Sequence, residues 1–154
     1  DNLRRVFRMG RRLFLLNPNA LPSTDNEAEE RRSLRSILSA IDGSGLEKIV
    51  AESTYGAQPL ERGGDLGVLY EMEQALAAQP IPSTINRAAY YMSNWDSAVE
   101  TATQEGVVHS FFPADFTLPM VAPHDIGLVA ADLMNTSIGS APGAGLKMKR
   151  RPSS

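Results

Sequence analysis

Residues 12–16 read RLFLL, an apolar run too short for a helix and stopped at once by Asn17-Pro18, the pattern of a short buried strand. Before it, residues 2–9, NLRRVFRM, look like the end of a helix closed by Gly10. After it, Leu34, Ile37, Leu38 and Ile41 fall at i, i+3, i+4 and i+7, one face of a helix. That helix should begin near Thr24, where Thr24 and Glu27 have capping-box spacing, and end at DGSG (42–45), whose glycine suits a left-handed cap. KIVAE (48–52) is the next strand. Asp65 is placed to cap a second helix with Leu66, Leu69, Met72 and Leu76 as its stripe, and Pro80 and Pro82 flank its exit. STIN (83–86) is a third strand, and residues 90–103 carry Met92, Trp95 and Val99 at helical spacing. VVHSFF (107–112) and, more weakly, PMVA (119–122) read as strands. Pro123 suits a first helical turn, with Ile126, Val129, Ala130 and Leu133 as the last helical face.

The order strand, helix, strand, helix, strand, with short links, predicts an α/β fold. Strands 12–16, 48–52 and 83–86 would be parallel neighbours joined by right-handed crossovers, and helices 25–41 and 65–78 would cover the sheet. There is no internal repeat. With 154 residues, 42% of them hydrophobic, the chain can bury one core, expected over residues 1–138. Residues 139–154, rich in Gly, Pro, Lys and Arg, read as a basic, disordered tail.

Charge sharpens this division. The formal net charge is −3, but Lys147, Lys149, Arg150 and Arg151 all lie in the last eight residues. Without those four, 11 basic residues stand against 18 acidic ones, and an acidic body argues against nucleic acid as a partner. The absence of cysteine excludes a disulfide scaffold, a thiolate nucleophile and thiolate metal sites. No apolar run approaches the roughly 20 residues of a membrane span. The charged opening DNLRRVFRMGRR has no signal-peptide core, so the expected address is the cytoplasm and no membrane partner is expected. The chain opens at Asp1, without Met, in what looks like the middle of a helix.

Candidate chemistry is sparse. No G-x-G-x-x-G stands between a strand and a helix: RGGDLG (62–67) follows a loop, and GSAPGAG (139–145) lies in the tail. No Walker-type loop is present. His109 and His124, the only histidines, lie fifteen apart. HDIG (124–127) has the His-Asp pair of a phosphohydrolase without the further histidines that chemistry needs, so no metal is expected. Asp125 is more simply an acid in a first helical turn, and EAEERR (27–32) a solvated helix face. Two stretches remain. IVAESTYGAQP (49–59) ends a buried strand in Ser53, Thr54 and Tyr55, which suits either turn chemistry or a ligand site at the carboxyl end of a parallel strand. RAAYYMSNW (87–95) follows a strand end with two Tyr, a Trp, an Arg and an Asn, which suits either aromatic packing or ligand lining.

LRRVFRMGRRLFLLNP, KIVAESTYGAQP, MEQALAAQPIPSTINRAAYYMSNW and PMVAPHDIGLVAADLM, in this order and spacing, resemble the NmrA-like family of atypical short-chain dehydrogenase/reductases over about 135 residues. The family shows a Phe-x-x-Gly turn before a Phe-Leu-Leu-x-Pro strand, then a strand ending in Ser. A Glu-x-x-Leu helix leading to Thr-Ile-x-Arg, an aromatic pair and Asn, and a Val-x-x-x-Asp-Ile helix start come next. The resemblance implies a partial Rossmann-like domain binding NADP or NAD, with the N-terminal βαβ unit and its glycine-rich loop lying before Asp1. The cofactor site would then be incomplete in this chain, and the substrate-side region looks cut short, so the chain reads as a fragment.

By that resemblance Asn17, Pro18, Ser53, Thr54 and Tyr55 sit beside the cofactor, and Arg87, Tyr90, Tyr91 and Asn94 line the nicotinamide and substrate side. Asn17, Ser53, Tyr55 and Tyr90 should therefore cluster at one edge of the sheet. The superfamily's Tyr-x-x-x-Lys proton relay is missing, because Tyr55 is followed by Gly-Ala-Gln-Pro and Tyr70 by Glu-Met-Glu-Gln. The implied function is NAD(P)H-dependent reduction of a small molecule such as a quinone or carbonyl. The alternatives are a non-catalytic dinucleotide sensor and an inactive fragment. The open edge of strand 12–16 would invite self-association.

Overall fold

The computed structural model describes residues 2–21, 25–60, 64–110 and 112–137. In chain order the elements are α1 (Asn2–Phe7), β1 (Arg12–Leu15), α2 (Asn26–Ile41), β2 (Lys48–Thr54), α3 (Asp65–Ala78) and β3 (Ser83–Ala88). Beyond β3 come a two-residue strand β4 (Tyr90–Tyr91), a 3-10 helix (Met92–Ala98), α4 (Val99–Glu105), β5 (Met120–Val121) and α5 (Pro123–Asn135).

The three main strands form one parallel sheet in the order β1-β2-β3. Leu15 pairs with Ala51 in the first ladder, and Ser53 with Arg87 in the second. Each connection is a helix with an apolar stripe, the kind of crossover that parallel neighbours require.

Side chains alternate between the two faces of the sheet, and each face has its own cover. Leu15, Ile49 and Ala51 point to one face and form the main core with Leu34, Ile37 and Ile41 of α2 and Val68, Met72 and Leu76 of α3. The opposite face, carrying Lys48, Val50 and Glu52, lies under α5. Lys48 Nζ donates to the carbonyls of Leu133 and of Thr136 (2.8 Å), and Arg12 donates to the Met134 carbonyl. Two cations thus close the C-terminal end of α5, where free carbonyls and the helix dipole favour positive charge.

Several local expectations change. Asp25, not Thr24, caps α2, accepting from the Ala28 N–H at 3.1 Å; Thr24 lies outside the described residues. Gly43 ends α2 at φ +65°, the conformation a left-handed cap needs. Gly64 rather than Asp65 stands at the start of α3, which has no side-chain cap; Asp65 is the first helical residue. The α3 stripe is turned from the expected one towards Gly67 and Val68. Gly67 is needed there, since a Cβ would meet the Leu60 carbonyl oxygen at 3.0 Å.

Residues 90–103 are not one helix. Tyr90 and Tyr91 instead pair in parallel with Met120 and Val121, a second small sheet, so the helical turns start only at Met92. Residues 107–110 and 112 form no strand, and Val107 and Val108 stay largely exposed; Phe111 lies outside the described residues. A strand needs a ladder partner, and none is in place for this run among the described residues. The tail 139–154 also lies outside them.

Candidate functional site

The carboxyl ends of β1, β2 and β3 converge on one edge, followed on the chain by loops into α2, α3 and β4. Asn17 lies two residues beyond the end of β1, on the segment that leads from this edge into α2. Asn17 is buried, 5% exposed, and its Oδ1 has no hydrogen-bond partner among the described residues.

Ser53 faces the α3 side and is fully engaged. Its Oγ donates to Glu73 Oε1 at 2.6 Å, and Arg87 Nε donates to the same oxygen at 2.9 Å. A second Arg87 nitrogen pairs with Glu73 Oε2, making a two-pronged ion pair. Glu73 is buried in α3, whereas the Arg87 side chain is 45% exposed. The Glu73 carboxylate holds the Arg87 guanidinium above its ordinary pKa. Two expected site residues, Ser53 and Arg87, are therefore joined by a third that the sequence did not single out.

One residue back along β2, Glu52 points to the other face. It is 4% exposed; Oε2 accepts from Asn86 Nδ2 at 2.9 Å, and Oε1 has no partner among the described residues. Burial pushes its pKa up to about 7, against the opposing Asn86 hydrogen bond. Tyr91 lies close enough that, after burial, the Glu52 charge also raises its pKa.

A third buried carboxyl, Glu30, stands in α2 and accepts from the Ala20 N–H at 3.1 Å. Burial raises its pKa and the neighbouring Asp65 adds to the rise, while the Ala20 N–H opposes both.

The remaining expected residues divide. Thr54 and Tyr55 form a turn: Tyr55 N–H donates to the Ala88 carbonyl at 2.8 Å and Ala57 N–H to the Thr54 carbonyl at 3.0 Å. The Tyr55 side chain is exposed. Pro18 and Asn94 are exposed, and no hydrogen bond among the described residues ties either to the others. Tyr90 and Tyr91 continue the β3 edge, and the Tyr90 ring meets Trp95 and Phe112 edge-on, at centroid distances of 6.3 Å and 5.6 Å.

Glu52, Glu73 and Asn86 escaped the sequence reading. A signal existed for two of them: Glu52 is an acid inside a buried strand, and Glu73 falls seven residues after Leu66 and four after Leu69, on an apolar stripe. Among the described residues no three His, Asp or Glu side chains form a group that could hold a metal, and no helix is long and apolar enough to cross a membrane.

No family model matches the sequence, and no curated protein matches it. Among solved structures it is similar to the Citrobacter sp. triphenylmethane reductase complexed with NADP(H), with a TM-score of 0.70 and 16% identity. The match covers 88% of this chain and 46% of that one, so the chain spans less than half of the reductase's length. At that identity the likeness establishes architecture: the chain has a partial Rossmann-like α/β fold, a parallel sheet flanked by helices.

Proposed function

We propose that the carboxyl edge of the sheet holds the nicotinamide end of NADPH or NADH, in an NmrA-like reductase that reduces a quinone or small carbonyl compound. The observation that supports this most is the pair Asn17 and Glu52. Both are buried acceptors with an unpartnered oxygen, at adjacent strand ends on the edge where open α/β sheets bind ligands. The Asn17 oxygen suits the amide or hydroxyl donors of a nicotinamide riboside, and the Glu52 oxygen is left for the substrate. The pyrophosphate fits less well: no glycine-rich strand-to-helix turn occurs in the sequence, and Arg87 at this edge is committed to Glu73.

When bound, the cofactor supplies hydride. Asn17, with Pro18, Ser53, Thr54 and Tyr55 around it, forms the cofactor side; Arg87, Tyr90, Tyr91 and Asn94 form the substrate side. Ser53 and Arg87 act through Glu73, which fixes the ends of β2 and β3 against α3. The reduced substrate needs a proton, and Lys48, the only lysine among the described residues, is tied to the end of α5. Glu52 takes that role instead. Part-protonated near neutral pH, it holds its proton on Oε1, because Oε2 accepts from Asn86. The absent Tyr–Lys relay also favours a second reading, a dinucleotide sensor without turnover.

Titration calorimetry separates these possibilities from error. Because only the nicotinamide end is held, the 154-residue chain should bind NADPH and reduced nicotinamide mononucleotide with the same weak affinity, on the order of 1 mM or weaker. Asn17→Ala should abolish both. Micromolar NADPH affinity would place a phosphate site within these residues, and indifference of both ligands to Asn17→Ala would remove the edge from the function. Oxidation of NADPH by a quinone in the presence of the protein would decide between reductase and sensor.

The same chain should self-associate. β1 has no strand on its outer side among the described residues, and Phe14 and Leu16 are 43% and 59% exposed. An open apolar edge is a template for another strand. Light scattering should show mass rising with concentration, and Phe14→Lys should suppress it; a monomer at every concentration would refute the expectation.

A further inference from the structure

Beside the carboxyl edge, where β4 runs on from β3, lies a cavity of about 410 Å³ lined by Trp95, Val108, Phe112, Phe116, Leu118 and Met120, among others. Its walls are flat rings. Phe112 and Phe116 stack in parallel, 5.4 Å apart with planes 5° off, and the Tyr90 ring lies edge-on against both Phe112 and Trp95. Despite this packing, Phe116, Met120 and Val108 each remain about half exposed, so the cluster does not bury its own apolar surface. The Trp95 indole N–H is shielded from solvent yet has no hydrogen-bond partner among the described residues. Apolar cavities of this size with one spare polar group are the usual form of a small-molecule site.

We infer that this cavity binds a flat, uncharged, two-ring aromatic molecule bearing a carbonyl acceptor. The parallel Phe112–Phe116 pair sets the plane of the ring system. A third ring extends an offset stack, and ring edges meet Tyr90 face or edge at favourable geometry. Among the described residues the lining holds no cation or carboxylate, which disfavours a charged headgroup as ligand. A carbonyl recovers the Trp95 hydrogen bond that the free protein leaves unmade, by a small turn of the indole. Tyr90, whose ring meets Phe112 and Trp95 of the lining, is followed on β4 by Tyr91, the residue that feels the Glu52 charge. The identity of the occupant as a substrate rests on the reductase reading above; its binding does not.

Trp95 is the chain's one tryptophan, so its indole ¹⁵N–¹H resonance reports on the cavity without assignment ambiguity. The full chain, without cofactor, is titrated with coumarin and, in parallel, with octahydrocoumarin, which keeps the carbonyl but loses the flat rings. Coumarin should shift the indole resonance saturably, with a Kd on the order of 0.5 mM for a ligand of about eleven non-hydrogen atoms. Octahydrocoumarin should bind at least several-fold more weakly. Phe112→Leu and Phe116→Leu, checked for an otherwise unchanged amide spectrum, should each weaken coumarin by roughly three- to tenfold. Should either variant fail to fold, the contrast between the two ligands on the unmodified chain still decides. No saturable shift up to the solubility limit, equal affinity for both ligands, or undiminished binding by folded Leu variants would overturn the site. Selective coumarin binding without any quinone-dependent oxidation of NADPH would keep the cavity and dismiss the reductase.

Discussion

Replacing Glu52 by glutamine is expected to flatten a fall in stability that the unmodified chain shows as pH rises from about 4.5 to about 7. Burial raises the folded-state pKa of Glu52 from the ordinary 4.5 to about 7. Below 4.5 the carboxyl is neutral whether the chain is folded or not, and its stabilising contribution is complete. Between the two values the folded state binds the extra proton, so stability declines with pH, and above about 7 the contribution is gone. At roughly 1.4 kcal/mol per pH unit the whole decline is about 3 kcal/mol. Glu30, raised by burial in the same direction, leaves a smaller residual slope. Urea unfolding of both proteins at pH 5 and pH 8 measures the effect. Glutamine keeps the bond with Asn86 and should make the protein more stable at pH 8. Identical pH profiles would show that Glu52 ionises as an exposed acid does.

The second large effect belongs to the Ser53–Glu73–Arg87 network. Removing one partner of a buried ion pair costs more than the pair contributes, because the other charge stays desolvated. Arg87→Ala leaves Glu73 buried with Ser53 alone, and should cost about 2–3 kcal/mol, below the range for fully buried pairs because the Arg87 side chain is 45% exposed. The double replacement Glu73→Leu with Arg87→Met removes both charges and should recover most of that loss. Ser53→Ala should cost about 1 kcal/mol, the worth of a hydrogen bond to a charged group less the relief of losing a buried hydroxyl. Denaturant midpoints for the unmodified protein, Glu73→Leu, Arg87→Met and the double replacement form a cycle that isolates the coupling. If Ser53→Ala leaves stability unchanged while abolishing nicotinamide binding, the serine serves the ligand and not the sheet.

Pattern alone was enough for the alternation of strands and helices, the parallel neighbours β1, β2 and β3, and the α2 stripe. These come from local periodicity, since short strand-length stretches alternate along the chain with helices that carry an apolar stripe. The resemblance also pointed to the carboxyl edge of the sheet, where the β2–β3 ladder sets Ser53 beside Arg87 and Tyr91 stands near Glu52.

Tertiary structure decided the rest. A strand has a period of two, so Glu52 and Ser53, adjacent in sequence, face opposite sides, and only the placement of α3 on one side and α5 on the other settles which partner each meets. Tyr90 and Tyr91 stand directly before residues at helical spacing, yet they join a ladder with Met120 and Val121, about thirty residues on, because a parallel partner offers backbone hydrogen bonds that a helix start there does not. The buried acids Glu73 and Glu52 obey the same logic. Whether an acid on an apolar stripe is buried, and whether its charge survives there, depends on what the fold packs against it, and the local pattern carries no record of that neighbour.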